Sequence, residues 1–137
     1  TIAAAKEITL NNHACEKMTV YADEDMVKTV LRNLLSNAIK FTYPGGQIDI
    51  TLSSLPGYVL TSVKDNGKGI AKDVQAKLLK TNEYITTYGT RNEKGSGLGL
   101  ILSQEFIKMN KGKFWFSSQE GVGTTFFFTL PHTTSSS

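Results

Sequence analysis

Leu31-Arg32-Asn33-Leu34-Leu35-Ser36-Asn37-Ala38-Ile39-Lys40-Phe41-Thr42 is the stretch on which the fold turns. At about 100° per residue, Leu31, Leu34, Leu35, Ala38, Ile39 and Phe41 fall on one arc, and Arg32, Asn33, Ser36, Asn37 and Lys40 on the other. The spacing predicts an amphipathic helix whose apolar arc covers a core. Its polar arc is less ordinary, because Asn competes for backbone hydrogen bonds and is a mediocre helix former. Two of them at i and i+4 either belong to a solvated face or serve a ligand. A carboxamide oxygen is a neutral, hard ligand suited to Mg²⁺, its NH₂ can donate to phosphate, and Lys40 adds a positive charge one turn on.

The chain around this helix has 137 residues, enough for one domain with its own core and too few for two of usual size. A hydrophobic share of 39% and a charged share of 20% exclude a disordered chain. The formal charge is +3, carried by scattered Lys and Arg, so the excess suits a small anionic ligand at least as well as a nucleic acid. No nucleic-acid partner is expected, since Phe114, Trp115, Phe116 and residues 126–128 read as paired strands with a buried face. Cys15 is the only cysteine, which rules out an internal disulfide and a zinc site built on cysteines and suits a reducing, cytoplasmic compartment. No run of 18 apolar residues and no secretion signal is present, so no direct membrane contact is expected of this domain. A full-length protein anchored in a membrane stays compatible with that.

Taken in order, residues 1–7 read as the end of a preceding helical region, 8–131 as the domain, and 132–137 as a flexible tail. Residues 8–12 and 18–21 are β-prone, and Asp23 is placed to cap the long helix, which should run to Phe41 and stop at Pro44-Gly45-Gly46. Residues 47–53 alternate as a half-buried strand, Pro56-Gly57 turns the chain, and 58–64 returns. A short helix is expected over 71–79, a mobile loop over 81–93, a helix over 98–109, and a closing hairpin from 113–118 and 124–130 around Gly121-Val122-Gly123. Irregular alternation with adjacent hairpins indicates an α/β two-layer sandwich on a mixed sheet, with helices on one face.

Two glycine-rich stretches carry further chemistry. Asp65-Asn66-Gly67-Lys68-Gly69-Ile70 sets a carboxylate at a strand end before two glycines. It reads either as a turn or as an acceptor for an exocyclic amine such as that of adenine, with Gly67 and Gly69 letting backbone approach a flat ring. Gly95-Ser96-Gly97-Leu98-Gly99-Leu100 opens directly into an apolar helical run, which leaves helix N-terminal amides free to attract phosphate. The spacing is not that of a dinucleotide fold, no strand is expected before it, and no Gly-x-x-x-x-Gly-Lys-Ser/Thr occurs, so a P-loop enzyme is excluded.

The order Asn-x-x-x-Asn-x-x-Lys, Asp-x-Gly-x-Gly, Gly-x-Gly-Leu-Gly-Leu and Gly-Val-Gly-Thr-Thr-Phe resembles the ATP-binding catalytic domain of sensor histidine kinases, within the wider family that includes gyrase, Hsp90 and MutL. The resemblance covers residues 8–131. It implies an α+β fold, a mixed and mostly antiparallel sheet backed by three helices, with a nucleotide site between helices and a lid. By the same resemblance Asn37 is the Mg²⁺ ligand, Asn33 and Lys40 lie near the phosphates, and Phe41 belongs to the site. Asp65 is the adenine acceptor, with Gly67, Gly69 and Ile70 shaping its pocket and Thr124 supporting the adenine end through water. Gly95, Ser96, Gly97, Leu98, Gly99 and Leu100 form the hinge and helix start under the phosphates. Residues 84–94 form the lid, and Arg91 reaches the terminal phosphate. One departure stands out: Lys77-Leu78-Leu79-Lys80 replaces the Phe-rich segment that often precedes the lid.

Relatives that hydrolyse ATP themselves carry Glu where this chain has Asn33, and an amide cannot act as a general base. The expected activity is therefore protein-histidine kinase chemistry: positioning Mg-ATP so that its γ-phosphoryl passes to a histidine, and from there to an aspartate on a response regulator receiver domain. His13 and His132 both lack the helical, acidic setting of a phosphoacceptor, so the acceptor is expected on a histidine-containing dimerisation domain of the same full-length protein. The competing classes are an ATPase clamp, an anti-sigma serine kinase, and a nucleotide-free interaction module. The first two call for Glu at position 33, and the third for loss of Asn37, Asp65 or the glycines.

Overall fold

The computed structural model describes residues 7–12, 19–78, 87–88, 94–95 and 98–132. In chain order these form β1 (Thr9–Asn12), α1 (Glu24–Phe41), β2 (Gln47–Leu55), β3 (Tyr58–Asp65), α2 (Lys72–Gln75), β4 (Thr87–Tyr88), β5 (Lys94–Gly95), α3 (Leu98–Met109), β6 (Phe114–Gln119) and β7 (Gly123–Pro131).

Helix α1 begins where its chemistry says it should. The Asp23 carboxylate accepts the Met26 N–H at 2.9 Å, and Glu24 and Asp25 place negative charge on the positive end of the helix. The Asp23 N–H donates to Asn110 Oδ1 at 2.7 Å, which ties the start of α1 to the end of α3. Farther along, Asn33 meets the first turn of α3, so the two helices lie antiparallel.

The main sheet runs β1-β2-β3-β7-β6, with β1 parallel to β2 and every other pair antiparallel. Period-2 alternation decides its faces. Val63 of β3, Phe126, Phe128 and Leu130 of β7, and Ile48 of β2 meet Val30, Leu34 and Ala38 of α1 and Leu100 and Ile107 of α3 in one buried cluster. Trp115 and Phe127 stack on the other face, 5.2 Å apart. The result is the expected two-layer α+β sandwich, with three helices among the described residues. No described helix is long and apolar enough to cross a membrane.

Four local expectations need correction. Residues 19–21 form no strand: among the described residues the backbone meets the sheet at the Tyr21 N–H to Pro131 O bond, 3.0 Å, and β-propensity without a ladder partner does not make a strand. The helix expected over 71–79 is the single turn of α2, because the next hydrogen bonds, Lys77 N–H to Val74 O and Leu78 N–H to Gln75 O, tighten to i→i−3. Within and beside the expected loop, β4 pairs antiparallel with β5, so a two-residue strand does precede the second glycine-rich stretch. His132 is no free tail residue, since its N–H donates to Gly57 O at 3.1 Å. Residues 1–6, 13–18 and 133–137 and most of 79–97, including Arg91, Ser96 and Gly97, lie outside the described residues, and with them most of the lid.

Candidate functional site

The C-terminal end of α1 opens on a cavity of about 390 Å³. Asn37, Lys40 and Phe41 form its helical wall, and Lys68, Gly69, Ile70 and Ala71 the wall opposite. Val74, Leu78 and Leu100 make an apolar floor, and Tyr43, Glu120 and Gly121 stand at the rim. Asn37 and Lys40 of the polar arc of α1 thus share one cavity, with Ala38 buried behind them.

The Gly67-Lys68-Gly69 strap is threaded between the end of α1 and the β6–β7 turn. Lys68 N–H donates to Phe41 O at 3.0 Å, and Lys68 O accepts the Gly121 N–H at 2.7 Å. A Cβ on Gly67 would stand 2.0 Å from Phe41 O, and one on Gly69 2.2 Å from Gln119 O, with Gly69 at φ +70° besides. Only glycine fits at either point. The close approach brings Lys68 Nζ to 5.2 Å and Lys40 Nζ to 4.6 Å from the centroid of the same Phe41 ring.

Asp65 ends β3 on its buried face, 5% exposed, where the register sets it opposite Ile48 and Thr124. Its Oδ1 accepts the Gly67 N–H at 2.9 Å. Burial pushes the carboxyl up to about 6, against the pull of backbone N–H donors from Gly67 and Thr124. At neutral pH Asp65 is therefore a buried carboxylate held at an energetic disadvantage, a group that gains from any further hydrogen-bond donor brought to it. Thr124 is joined to it through the backbone, and its hydroxyl lies 2.8 Å from Ser118 Oγ. Ser118 Oγ in turn accepts the Ile70 N–H at 2.8 Å, and Gln75 Nε2 donates to Ile70 O at 2.7 Å. Ser118 and Gln75 thus fix the backbone of the pocket wall, a role the sequence does not advertise.

Of the residues singled out from sequence, the structure sets Asn37, Lys40, Phe41, Gly69, Ile70 and Leu100 on the cavity surface. Asp65, Gly67 and Thr124 belong to the layer behind it. Asn33 is engaged elsewhere, its Nδ2 donating to Gly99 O at 3.2 Å and to Ser103 Oγ at 3.3 Å. A Cβ at Gly99 would meet Asn33 Cγ at 3.5 Å, an ordinary van der Waals contact, so this packing does not itself call for glycine. The backbones of Gly95 in β5 and Leu98 at the start of α3 flank the undescribed Ser96 and Gly97. Sequence reasoning missed Lys68, Val74 and Leu78, although Val74 and Leu78 at i and i+4 are an amphipathic signal. Among the described residues no group of three or more His, Cys, Asp and Glu could hold a metal. A hard cation at Asn37 would take one carboxamide oxygen from the protein and the rest of its shell from ligand and water, which is the usual manner of Mg²⁺.

Residues 22–134 match the family described as histidine kinase-, DNA gyrase B- and HSP90-like ATPase. The adaptive-response sensory kinase SasA of Synechococcus elongatus is 39% identical over 114 residues, covering 82% of this chain and 29% of SasA. Sensor protein EvgS of Escherichia coli K12 is 38% identical over 136 residues, 95% of this chain and 11% of EvgS. The chain thus spans less than a third of the length of these relatives. Among solved structures, the catalytic domain of histidine kinase ThkA superposes with a TM-score of 0.77 at 30% identity, covering 95% of this chain and 84% of that one. ThkA in complex with the response regulator protein TrrA gives 0.76 at 28% identity, over 98% of this chain and 37% of that one.

Proposed function

Because the chain belongs to the histidine kinase-, DNA gyrase B- and HSP90-like ATPase family, we propose that its cavity positions Mg-ATP for transfer of the γ-phosphoryl group to a histidine outside these 137 residues. Within the family its sequence and fold go with histidine kinase catalytic domains. One observation carries the assignment: the polar face of α1 and the buried carboxylate of Asp65 converge on the two sides of the Gly67-Lys68-Gly69 strap.

In this reading Asp65 accepts from the exocyclic amine of adenine, while Ile70 and Leu100 cover the ring. Asn37 and Lys40 face the phosphates, Asn37 as the Mg²⁺ ligand. Mg²⁺ supplies neutralisation of the charge on the transferring group. The Pγ–O bond to ADP breaks as a Pγ–N bond to the acceptor imidazole forms, and the phosphoryl group then passes to a response regulator aspartate. The acceptor would sit on a dimerisation domain of the same full-length protein, as a cytoplasmic partner of this one. Asn33 donates to Gly99 and Ser103 and has no basic atom to give to a water, which supports transfer over hydrolysis and weighs against the clamp and serine-kinase alternatives. His132 Nε2 lies 3.3 Å from Ser54 Oγ, at the end of the sheet far from Asp65, and is no acceptor for this site.

Calorimetric titration with ATP, with and without Mg²⁺ and with Asp65→Asn alongside, tests the site. Saturable binding tighter than about 1 mM that the substitution weakens by tenfold or more is expected. No binding by the parent chain would leave the motifs as scaffold for an interaction module. Self-labelling of the purified chain from γ-labelled ATP would overturn the separate acceptor.

A further inference from the structure

We infer that Lys68 is a second phosphate-reading cation of this pocket, one that sets its preference for adenosine polyphosphates over adenosine. The inference rests on the nucleotide-site reading above. It starts from the strap itself: Gly67 and Gly69 cannot carry side chains, so Lys68 supplies the only one, and its backbone is pinned by Phe41 on one side and Gly121 on the other. The ammonium group is thereby delivered to the cavity, 5.2 Å from the centroid of a ring that Lys40 approaches at 4.6 Å.

Two half-buried ammonium groups against one ring sit within about one screening length of each other, ~10 Å at 0.1 M salt, and repel. The ring face attracts both. Among the described cavity residues Lys40 and Lys68 stand against one acid, Glu120, so the described lining carries a net positive charge. A chain of phosphates leaving the Asp65 end and passing Phe41 would bridge the two cations. Adenosine, which ends at the ribose, offers neither of them a partner. An ammonium on a flexible stem suits this task, since it meets phosphate as a point charge and follows the ligand.

The test titrates ATP, ADP, AMP and adenosine against the full chain, Lys68→Met, Lys68→Arg, Asp65→Asn and Lys64→Met at two salt concentrations, adenosine being measured by competition with ATP. Lys64 is exposed on the sheet face away from the helices and controls for the loss of one charge. We expect Lys68→Met to weaken ATP and ADP roughly fivefold at low salt, to leave adenosine unchanged and to flatten the salt dependence, with Lys68→Arg close to the parent. Equal losses for ATP and adenosine would make Lys68 a packing residue for Phe41 and overturn the inference. So would a loss no greater than that of Lys64→Met. If Asp65→Asn abolishes binding while Lys68→Met does nothing, the nucleotide site stands and this inference falls. A parent chain that binds no adenine nucleotide sinks both.

Discussion

The two ends of β3 are built on opposite principles. At Tyr58–Val59 the strand faces a dry core: Val59 lies beside Leu130, and Thr61 beside Phe128, which is 1% exposed. Six residues on from Val59, about 20 Å along the strand, the same face ends in a buried carboxylate whose pKa is driven up to about 6, beside a strap of glycines and two lysines drawn onto one ring. The near end is packed for stability, and the far end gathers polar and charged groups at reduced solvation beside the cavity. One strand thus carries both anchor and site, and the register that aligns Val59 with the core is the register that turns Asp65 inward.

Breaking the dry end should cost most. Phe128→Ala removes a fully buried ring among Ile107, Leu130 and their neighbours, and is expected to destabilise the fold by about 3–5 kcal/mol in urea unfolding. The nucleotide affinity of the fraction that remains folded should not change, and a parallel loss there would show that the ends are not independent. The far end predicts a different signature. A carboxyl that titrates near 6 when folded and at 3.8 when unfolded binds more protons in the native state, so its contribution is most favourable below about pH 4 and is lost as pH rises through 6. Asp65→Asn removes that loss. Its stability relative to the parent should therefore rise by up to about 3 kcal/mol between pH 4 and pH 7, as the same change removes ATP binding. A flat difference across that window would mean that Asp65 is not held at a disadvantage and the contrast between the ends is false.

How far the sequence announces these features depends on which interactions make them. The faces of α1, the two hairpins and α3 follow from local period and turn chemistry, and all stand where residues 24–41, 47–65, 98–109 and 114–131 place them. Asn37 draws notice in sequence because Asn is a poor helix former on a helix face, whereas Asp65 before glycines reads equally well as a turn. It takes the fold to set Asn37 and Lys40 on the cavity with Asp65 behind them. The role of Asn33 was not readable, for its partners Gly99 and Ser103 come from a helix 66 and 70 residues away. The same holds for Ser118 and Gln75, ordinary polar residues until the fold brings both to Ile70. Lys68 was hidden by its neighbours, since a residue between two glycines reads as part of a turn until the contacts of the strap are known. Residues 19–21 mislead in the other direction, β-prone in composition and without a ladder partner.

Helix α1 spans both regimes, and its first turn offers the mildest test of whether they are separable. Asp23 caps the helix at the end remote from the cavity, its carboxylate on the Met26 N–H and its backbone N–H on Asn110. Asp23→Ala deletes the first bond and keeps the second, so a loss of about 1 kcal/mol is expected, small enough to leave the chain folded. The anchor to Asn110 should hold the helix axis in place while the first turn frays. Because Asn37 and Lys40 lie four turns on, with the Asn33 contacts to α3 between, ATP affinity should stay within twofold of the parent in the same titration. A larger drop would mean that fraying at the cap reaches the polar face, and α1 would then have to be treated as one cooperative lever from Asp23 to Phe41.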